Sequence, residues 1–326
     1  MQIEVLRWRE LCAVAGTPAK ARTLLKDGVY RRVVHDAYVL ADVPDDATTR
    51  CAALRSVLPD DVLLSGWSAL WASGLNVLPR DPNKVDLLDI TIGRGRHLEP
   101  RPGIRSHSAW VPDEELCEIN GLLVVSAARA FVDVARAEGV IEGVACGDAA
   151  LRAGLTTVGR IQESVDRAGG LRWVVRAREA VPHLDARSES LMESRLRVDL
   201  VLTGGPRMQA QVDLYDDGMV HRGRADLYLR GVVFEYDGRE SRLERAKFTG
   251  DRSRGNDIAD LEVEVRRFTG ALFYKTTPYE RLGILYRALE IAAQRLRPRL
   301  RFGPDTLRSP RGRPLPTRAE RKDKAA

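Results

Sequence analysis

The stretch Arg224-Ala225-Asp226, followed by Phe234-Glu235-Tyr236-Asp237-Gly238, decides the interpretation of the C-terminal part of this chain. It predicts a β-hairpin in which Asp226 lies near the end of one strand. A tight turn at Arg230-Gly231 follows, and an apolar strand then begins at Val232. Glu235 and Asp237 are two residues apart, so they point to the same face of that strand, and Asp226 can reach them across the hairpin.

Three carboxylates at one strand edge repel one another unless a cation neutralises them. Mg²⁺ prefers oxygen ligands of this kind, and Mn²⁺ is the expected substitute. A cation held there can activate water and stabilise charge on a phosphate, which predicts a metal-dependent nuclease site. The alternative interpretation is that the carboxylates are solvated ends of a hairpin, because Asp-Gly is also a turn signal.

The flanking segments favour the first interpretation. Upstream, residues 188–197 predict a capped amphipathic helix on which Glu189 and Glu193 lie one turn apart. Downstream, a basic segment precedes a predicted strand over residues 263–269. The predicted order is helix, strand, acidic hairpin strand, basic helix, strand and helix.

Over roughly residues 186–295 these motifs resemble the very-short-patch-repair-like branch of the PD-(D/E)XK endonuclease superfamily. The resemblance rests on E-S-x-x-E-S-R-L-R from Glu189, R-x-D ending at Asp226, E-Y-D-G from Glu235, D-x-x-R ending at Arg254, and V-x-R-x-T from Val265. It implies that Asp226, Glu235 and Asp237 are metal ligands. It also implies that Glu193 is a helix-borne fourth carboxylate and that Arg254 faces a phosphate or braces the acids.

Two positions depart from the family pattern. Ser241 stands where many members carry a histidine, and serine cannot accept a proton near neutral pH. Asp237 occupies the place of the usual lysine. Both departures leave the predicted fold intact and put catalysis in question.

The N-terminal segment, residues 1–42, predicts a winged helix-turn-helix. An apolar-periodic helix from Leu6 to Ala15, with Leu6, Leu11 and Val14 on one face, ends at Gly16. Thr17-Pro18 predicts the start of a second helix, and a hairpin follows over residues 29–40. The second helix would enter the major groove and the hairpin would lie near the backbone. The predicted DNA-binding residues here are Lys20, Arg22, Lys26, Arg31 and Arg32.

An ordinary helical cap with surface lysines is the alternative, since residues 1–42 hold seven Lys and Arg against five Asp and Glu. The segment nevertheless resembles the N-terminal domain of AbiEi-type antitoxins, as do the helices over residues 64–75 and 125–135. This second resemblance spans roughly residues 4–180. It implies an antitoxin-like domain architecture.

Length and composition fit a chain of two or three domains, and the predicted fold class is α/β, α+β overall. Hydrophobic residues make up 44% of the 326 residues, which excludes wholesale disorder. We expect a winged helix-turn-helix over 1–42, a mixed α/β scaffold over 43–183, an α/β nuclease-like domain over 184–296 and a disordered basic tail over 297–326. Four scattered cysteines, with no apolar run of membrane length and no signal peptide, predict reduced thiols in the cytoplasm.

The net charge of +6 lies mainly in the predicted tail, which holds ten Lys and Arg against three Asp and Glu. Such a tail either adds salt-sensitive DNA affinity or only solubilises the chain. Two functions remain open at this point. One is a DNA-targeted, Mg²⁺- or Mn²⁺-dependent endonuclease of the kind used in phage defence. The other is a non-catalytic antitoxin or transcriptional regulator with a degenerate nuclease fold and a cognate toxin or defence-system protein as partner. DNA is the expected partner in both, no membrane is expected, and a homodimer is the expected assembly.

Overall fold

The computed structural model describes residues 3–59, 62–77, 79–80, 87–93, 103–237, 261–294 and 301–302, and the side chains of 237, 301 and 302 lie outside that description. The chain forms two compact units, Met1–Ala186 and Arg187–Ala326. Both mix helices with sheets, which confirms the predicted α+β fold. The second unit begins three residues after the predicted start of the nuclease-like domain.

The N-terminal elements of the first unit follow the predicted order. Helices α1 (Trp8–Ala15) and α2 (Pro18–Lys26) precede an antiparallel hairpin of β1 (Tyr30–Val34) and β2 (Ala37–Leu40). Leu6 precedes α1 and bridges to Tyr38 of the hairpin, and it packs with Leu11 in a small apolar core. The prediction that Val14 shares this face is wrong, because Val14 is 61% exposed.

The rest of the first unit contains a five-stranded sheet with a helical layer. Its elements are α3 (Ala47–Val57), β3 (Leu63–Leu64), α4 (Gly66–Ala72), β4 (Leu88–Ile92), β5 (Ile104–Ser108), β6 (Leu116–Ile119), β7 (Leu122–Val125), α5 (Ala127–Glu138), α6 (Val140–Arg152), α7 (Val158–Arg167) and α8 (Val174–Ala180). The sheet order is β5-β4-β3-β7-β6. Side chains at Asp46, Ser126 and Thr157 accept hydrogen bonds from backbone N–H groups in the first turns of α3, α5 and α7, which explains where these helices begin.

The second unit places a mixed sheet beside helices. It contains α9 (Leu191–Leu202), β8 (Gln209–Tyr215), β9 (His221–Leu229), β10 (Val232–Asp237), β11 (Glu264–Thr269), α10 (Gly270–Lys275), α11 (Pro278–Gln294) and β12 (Arg301–Phe302). The sheet order is β11-β10-β9-β8-β12, with β10 and β11 parallel. The turn predicted between β9 and β10 is confirmed, because Arg230 and Gly231 both adopt positive φ angles of 47° and 85°.

The core of the second unit is locked by a buried ion pair as well as by apolar packing. Phe234 and Phe268 meet with ring centroids 5.0 Å apart, between the sheet and the helices. The guanidinium of Arg281 on α11 binds both carboxylate oxygens of Asp199 on α9, at 2.7 and 2.8 Å. The same guanidinium donates to the carbonyls of Phe273 and Thr276. This network ties α11 to α9.

Two predictions about this unit are corrected. The helix α9 starts after Ser190, so Glu189 precedes it, and α9 is buried from Glu193 to Leu200 instead of being amphipathic. Within the predicted disordered tail, β12 adds an edge strand to β8 because its two residues pair with Leu214 and Tyr215. The remaining tail, Ser241, Arg254 and the predicted basic helix lie outside the described residues. Within the residues that are described, no helix has the length and apolarity needed to cross a membrane.

Candidate functional site

Four polar side chains occupy one row across the sheet of the second unit. Ala210 pairs with Leu227 and Val212 pairs with Ala225, which places Gln211 opposite Asp226. The β9–β10 ladder ends where Phe234 pairs with Leu227, so the next step along brings Asp226 beside Glu235. Glu235 in turn pairs with Arg267 of β11.

Asp226 lies at the point where β9 and β10 stop pairing through their backbones. Its Oδ2 accepts a hydrogen bond from the backbone N–H of Tyr236 at 2.8 Å. Its Oδ1 accepts a weaker one from the side-chain amide of Gln211 at 3.3 Å. The carboxylate of Asp226 therefore links β9 to β10 just beyond their last backbone pair. This contact confirms the prediction that Asp226 reaches the acidic end of β10.

Gln211 links the sheet to helix α9. Its backbone has a φ of 52°, a left-handed conformation that is unusual for a non-glycine residue within a strand. Its side-chain amide donates to Oε2 of Glu193 at 2.8 Å as well as to Asp226. One buried amide thus holds two carboxylates of different elements close together, and backbone strain of this kind is often found at functional sites.

Glu193 of α9 is a buried carboxyl group beside this row. Only 6% of the residue is exposed. Its Oε2 accepts from the backbone N–H of Glu189 at 2.9 Å in addition to the amide of Gln211. Burial and, after it, the nearby charge of Asp226 raise the pKa of Glu193 to about 7. Placing a buried carboxyl group beside a second one costs stability, and such arrangements concentrate at catalytic and cation-binding sites.

The other predicted ligands lie on β10. Glu235 is partly exposed, and its Oε2 accepts from Nε of Arg267 at 3.2 Å. Asp237 is the last residue of β10, opposite Thr269 of β11, and its side chain lies outside the description. Among the side chains that are described, no three Asp, Glu, His or Cys groups gather closely enough to bind one metal ion.

The donor chemistry of this row fits a hard divalent cation. Asp226 and Glu235 offer carboxylate oxygens from neighbouring positions, and Mg²⁺ and Mn²⁺ take such ligands. The pKa of Glu193 is raised first by burial and second by the negative charge of Asp226. His221, the histidine nearest to Asp226 in the sequence, contacts Asp213 instead, with Nε2 3.2 Å from Oδ1.

The predicted DNA-binding residues of the first unit do not form a single stripe. Arg22 and Lys26 lie one turn apart on the same side of α2, whereas Lys20 lies on another side. Arg22 also packs over the ring of Trp8, with 5.8 Å from its guanidinium to the ring centroid. Arg31 donates to the carbonyl of Val43 at 2.9 Å, and Arg32 is exposed on β1.

Two members of the row, Gln211 and Arg267, were not predicted from the sequence to be site residues. Gln211 stands two residues before Asp213 in an ordinary alternating strand pattern, and its backbone conformation is not visible in the sequence. The register of the sheet is what reveals it. Arg267 lies within the V-x-R-x-T segment, where its pairing with Glu235 depends on the parallel arrangement of β10 and β11.

Comparison with known proteins gives a partial match. No protein-family model matches the chain. It is 32% identical over 124 residues to an uncharacterized protein of Mycobacterium tuberculosis strain CDC 1551 / Oshkosh, and to the same extent to one of strain ATCC 25618 / H37Rv. Each alignment covers 38% of this chain, and it spans 45% of the length of each curated relative.

Proposed function

We propose that this protein binds DNA and that its second unit is a Mg²⁺- or Mn²⁺-dependent endonuclease. The observation that carries the proposal is the convergence of Glu193, Gln211 and Asp226 beside Glu235. Helix α9 and three strands contribute to it, and a buried amide organises it. A hairpin with merely solvated ends would not need a buried glutamate held close to a second carboxylate.

Each residue of the row has a defined task in this proposal. Asp226, Glu235 and Asp237 would hold the divalent cation, which when bound supplies an activated water and charge stabilisation at the phosphate. Gln211 fixes the orientation of Asp226 by donating to its Oδ1. Arg267, exposed beside Glu235, offers a cationic group that can contact a DNA phosphate.

The test is cleavage of plasmid, linear duplex and single-stranded DNA with Mg²⁺ or Mn²⁺. We expect Asp226→Asn and Glu235→Gln each to reduce cleavage by on the order of 100-fold, because each removes a ligand charge. Glu189→Gln is the matched control, since Glu189 is exposed and pairs only loosely with Arg224 at 3.5 Å. Cutting that survives both site variants would show that another protein or another site is responsible.

A second function, a non-catalytic DNA-binding regulator, has one specific observation in its favour. Both oxygens of Asp226 already accept hydrogen bonds within the protein, and Glu235 is already paired with Arg267. These contacts can hold the sheet together without a cation. In that case the first unit would bind an operator, as a homodimer, and the second would dock a partner such as a cognate toxin or defence-system protein.

DNA binding by the first unit is tested separately from cleavage. Arg22→Gln and Lys26→Gln should together weaken duplex binding and reduce its salt dependence, as expected when phosphate contacts are lost. Lys20→Gln removes a charge from another side of α2 and therefore tests which side of the helix contacts DNA. If fluorescence anisotropy shows binding without any cleavage, and the two charge losses weaken it, the regulator is supported. If the two charge losses leave binding unchanged, α2 is not the DNA-binding element.

A further inference from the structure

The first unit contains a cavity of about 430 Å³ that the proposed nuclease function does not use. It lies among β4, β5, α5 and the N-terminus of α4, and its volume is in the range of small-molecule sites, about 300–1,000 Å³. Four arginines and three carboxylates line it. The arginines are Arg105, Arg129, Arg136 and Arg172, so the lining favours an anion.

A buried ion pair forms one wall. Asp89 is 4% exposed, and both of its oxygens accept from Arg105, at 2.5 and 2.9 Å. The guanidinium of Arg105 also reaches Glu138 at 3.3 Å, and Nε2 of His107 lies 3.5 Å from Asp89. These contacts hold the guanidinium rigidly, which lowers the entropic cost of using it to bind a ligand.

Helix α5 supplies a second charged wall. Arg129 donates through Nε to Asp133 at 2.9 Å and through Nη1 to Glu115 at 2.8 Å. Arg136 lies two turns beyond Arg129 on α5, and its Nε donates to the carbonyl of Arg172 at 2.9 Å. Nη1 of Arg136 lies 3.6 Å from Oδ1 of Asp133. Within the described part of the chain, neither arginine has a hydrogen bond from Nη2, and neither Nη2 is among the fully buried unpaired nitrogens. Each can therefore donate to a ligand.

Two tryptophans complete the lining. Trp67 is 3% exposed, and its indole N–H is buried without a hydrogen-bond partner among the described residues. Trp173 is half exposed and has a φ of 66°, a strained conformation for a bulky residue. The guanidiniums of Arg172 and Arg176 lie 5.1 and 4.4 Å from its ring centroid.

We propose that this cavity binds a small molecule that carries both a phosphate and a planar ring, of the nucleoside monophosphate class. The phosphate lies among the cavity arginines, because planar guanidinium groups match its oxygens. The ring lies against Trp173, where stacking tolerates any base.

The test is isothermal titration of the full chain with AMP, GMP, CMP and UMP. Inorganic phosphate and adenosine serve as half-ligands. We expect at least one nucleotide to bind, and each half-ligand to bind about tenfold more weakly or worse, because it lacks half of the contacts. Trp173→Ala and Arg136→Gln should each weaken nucleotide binding about tenfold. Trp110→Ala and Arg160→Gln are matched controls on exposed residues outside the cavity.

The titration results decide whether the cavity binds a nucleotide. No binding of any nucleotide up to about 10 mM would overturn the proposal, since that limit corresponds to a negligible affinity. Binding that is unchanged by both cavity variants would overturn it as well, because the nucleotide would then lie elsewhere. If inorganic phosphate bound as tightly as AMP and Trp173→Ala had no effect, the ring assignment would fall. Because Trp173 is half exposed, its replacement tests the proposal even if Arg136→Gln unfolds the unit.

Discussion

Replacing Glu193 by glutamine should stabilise the second unit at high pH and leave it unchanged at low pH. Glu193 has a pKa of about 7 in the folded protein, against an ordinary value of 4.5. The folded state therefore binds a proton more tightly than the unfolded state does. By linkage, the free energy of unfolding falls as the pH rises from 4.5 towards 7, and it levels off above that range.

The size of the effect follows from the same two values. Each tenfold difference in proton affinity corresponds to about 1.4 kcal/mol, so Glu193 costs the folded protein about 3 kcal/mol at pH 8. The amide oxygen of glutamine can still accept from Gln211 and from the backbone of Glu189, and glutamine carries no charge. Glu193→Gln should thus match the wild type near pH 4.5 and exceed its stability by about 3 kcal/mol at pH 8.

Hydrogen exchange measured by mass spectrometry is the suitable assay, because it follows the amides of β9 and β10 directly. All five tryptophans belong to the first unit, so their fluorescence reports separately on a part of the chain that should not change. Glu189→Gln is the matched control, with an exposed carboxylate whose loss should have little effect. A stability difference for Glu193→Gln that is the same at low and high pH would refute the reasoning.

Three further predictions concern the framework, each measured by urea denaturation. Arg281→Met leaves Asp199 buried without its partner and should destabilise the second unit by about 3–5 kcal/mol; a loss below 1 kcal/mol would contradict this. Gly205→Ala places a methyl group 2.8 Å from the carbonyl oxygen of Leu200 and should cost about 1–3 kcal/mol, whereas an unchanged midpoint would show that the backbone can shift. Burial would raise the pKa of Asp36, but hydrogen bonds from the backbone N–H of Trp8 and from the side chain of Arg7 outweigh it, so the pKa is lowered. The ionised carboxylate of Asp36 therefore stabilises the folded protein above about pH 4, and this stabilisation is lost as the pH falls further. Asp36→Asn should remove that pH dependence of the free energy of unfolding.

The sequence predicted most of the helices and the acidic hairpin because their signals are local. Thr17-Pro18 starts α2, and the two positive-φ residues Arg230 and Gly231 form the turn that the sequence indicates. What it could not predict depends on partners distant in the chain. The burial of α9 on nearly every side follows from packing against the sheet and α11, so its polar residues gave a misleading amphipathic pattern.

The same distinction explains the candidate site. Asp226 and Glu235 were predicted from residue type and spacing, and Glu193 from the family resemblance. The structure links Glu193 and Asp226 through the amide of Gln211 and places Glu235 beside Asp226. Gln211 could not be predicted, since its importance comes from a left-handed backbone and from its position opposite Asp226. Ala210 packs into the core beside α9 while Val212 packs into the second apolar cluster, although residues two apart on a regular strand share a face. The alternation therefore fails at Gln211.

Asp226 has a structural role as well as a proposed chemical one, and this limits what its removal can show. Its Oδ2 accepts the backbone N–H of Tyr236 at the end of the ladder, so Asp226→Ala would loosen the hairpin even in a protein without catalytic activity. Asp226→Asn keeps one oxygen that can accept from the N–H of Tyr236, whereas it removes the charge and the acceptor for the amide of Gln211. Because that charge is the second cause of the raised pKa of Glu193, after burial, the asparagine variant should lower the pKa of Glu193 below 7. Carbon-13 NMR of the Glu193 carboxyl group would detect this change. A pKa that stays at its wild-type value would show that the two carboxyl groups are not electrostatically coupled, and the cation site proposed beside them would lose its main support.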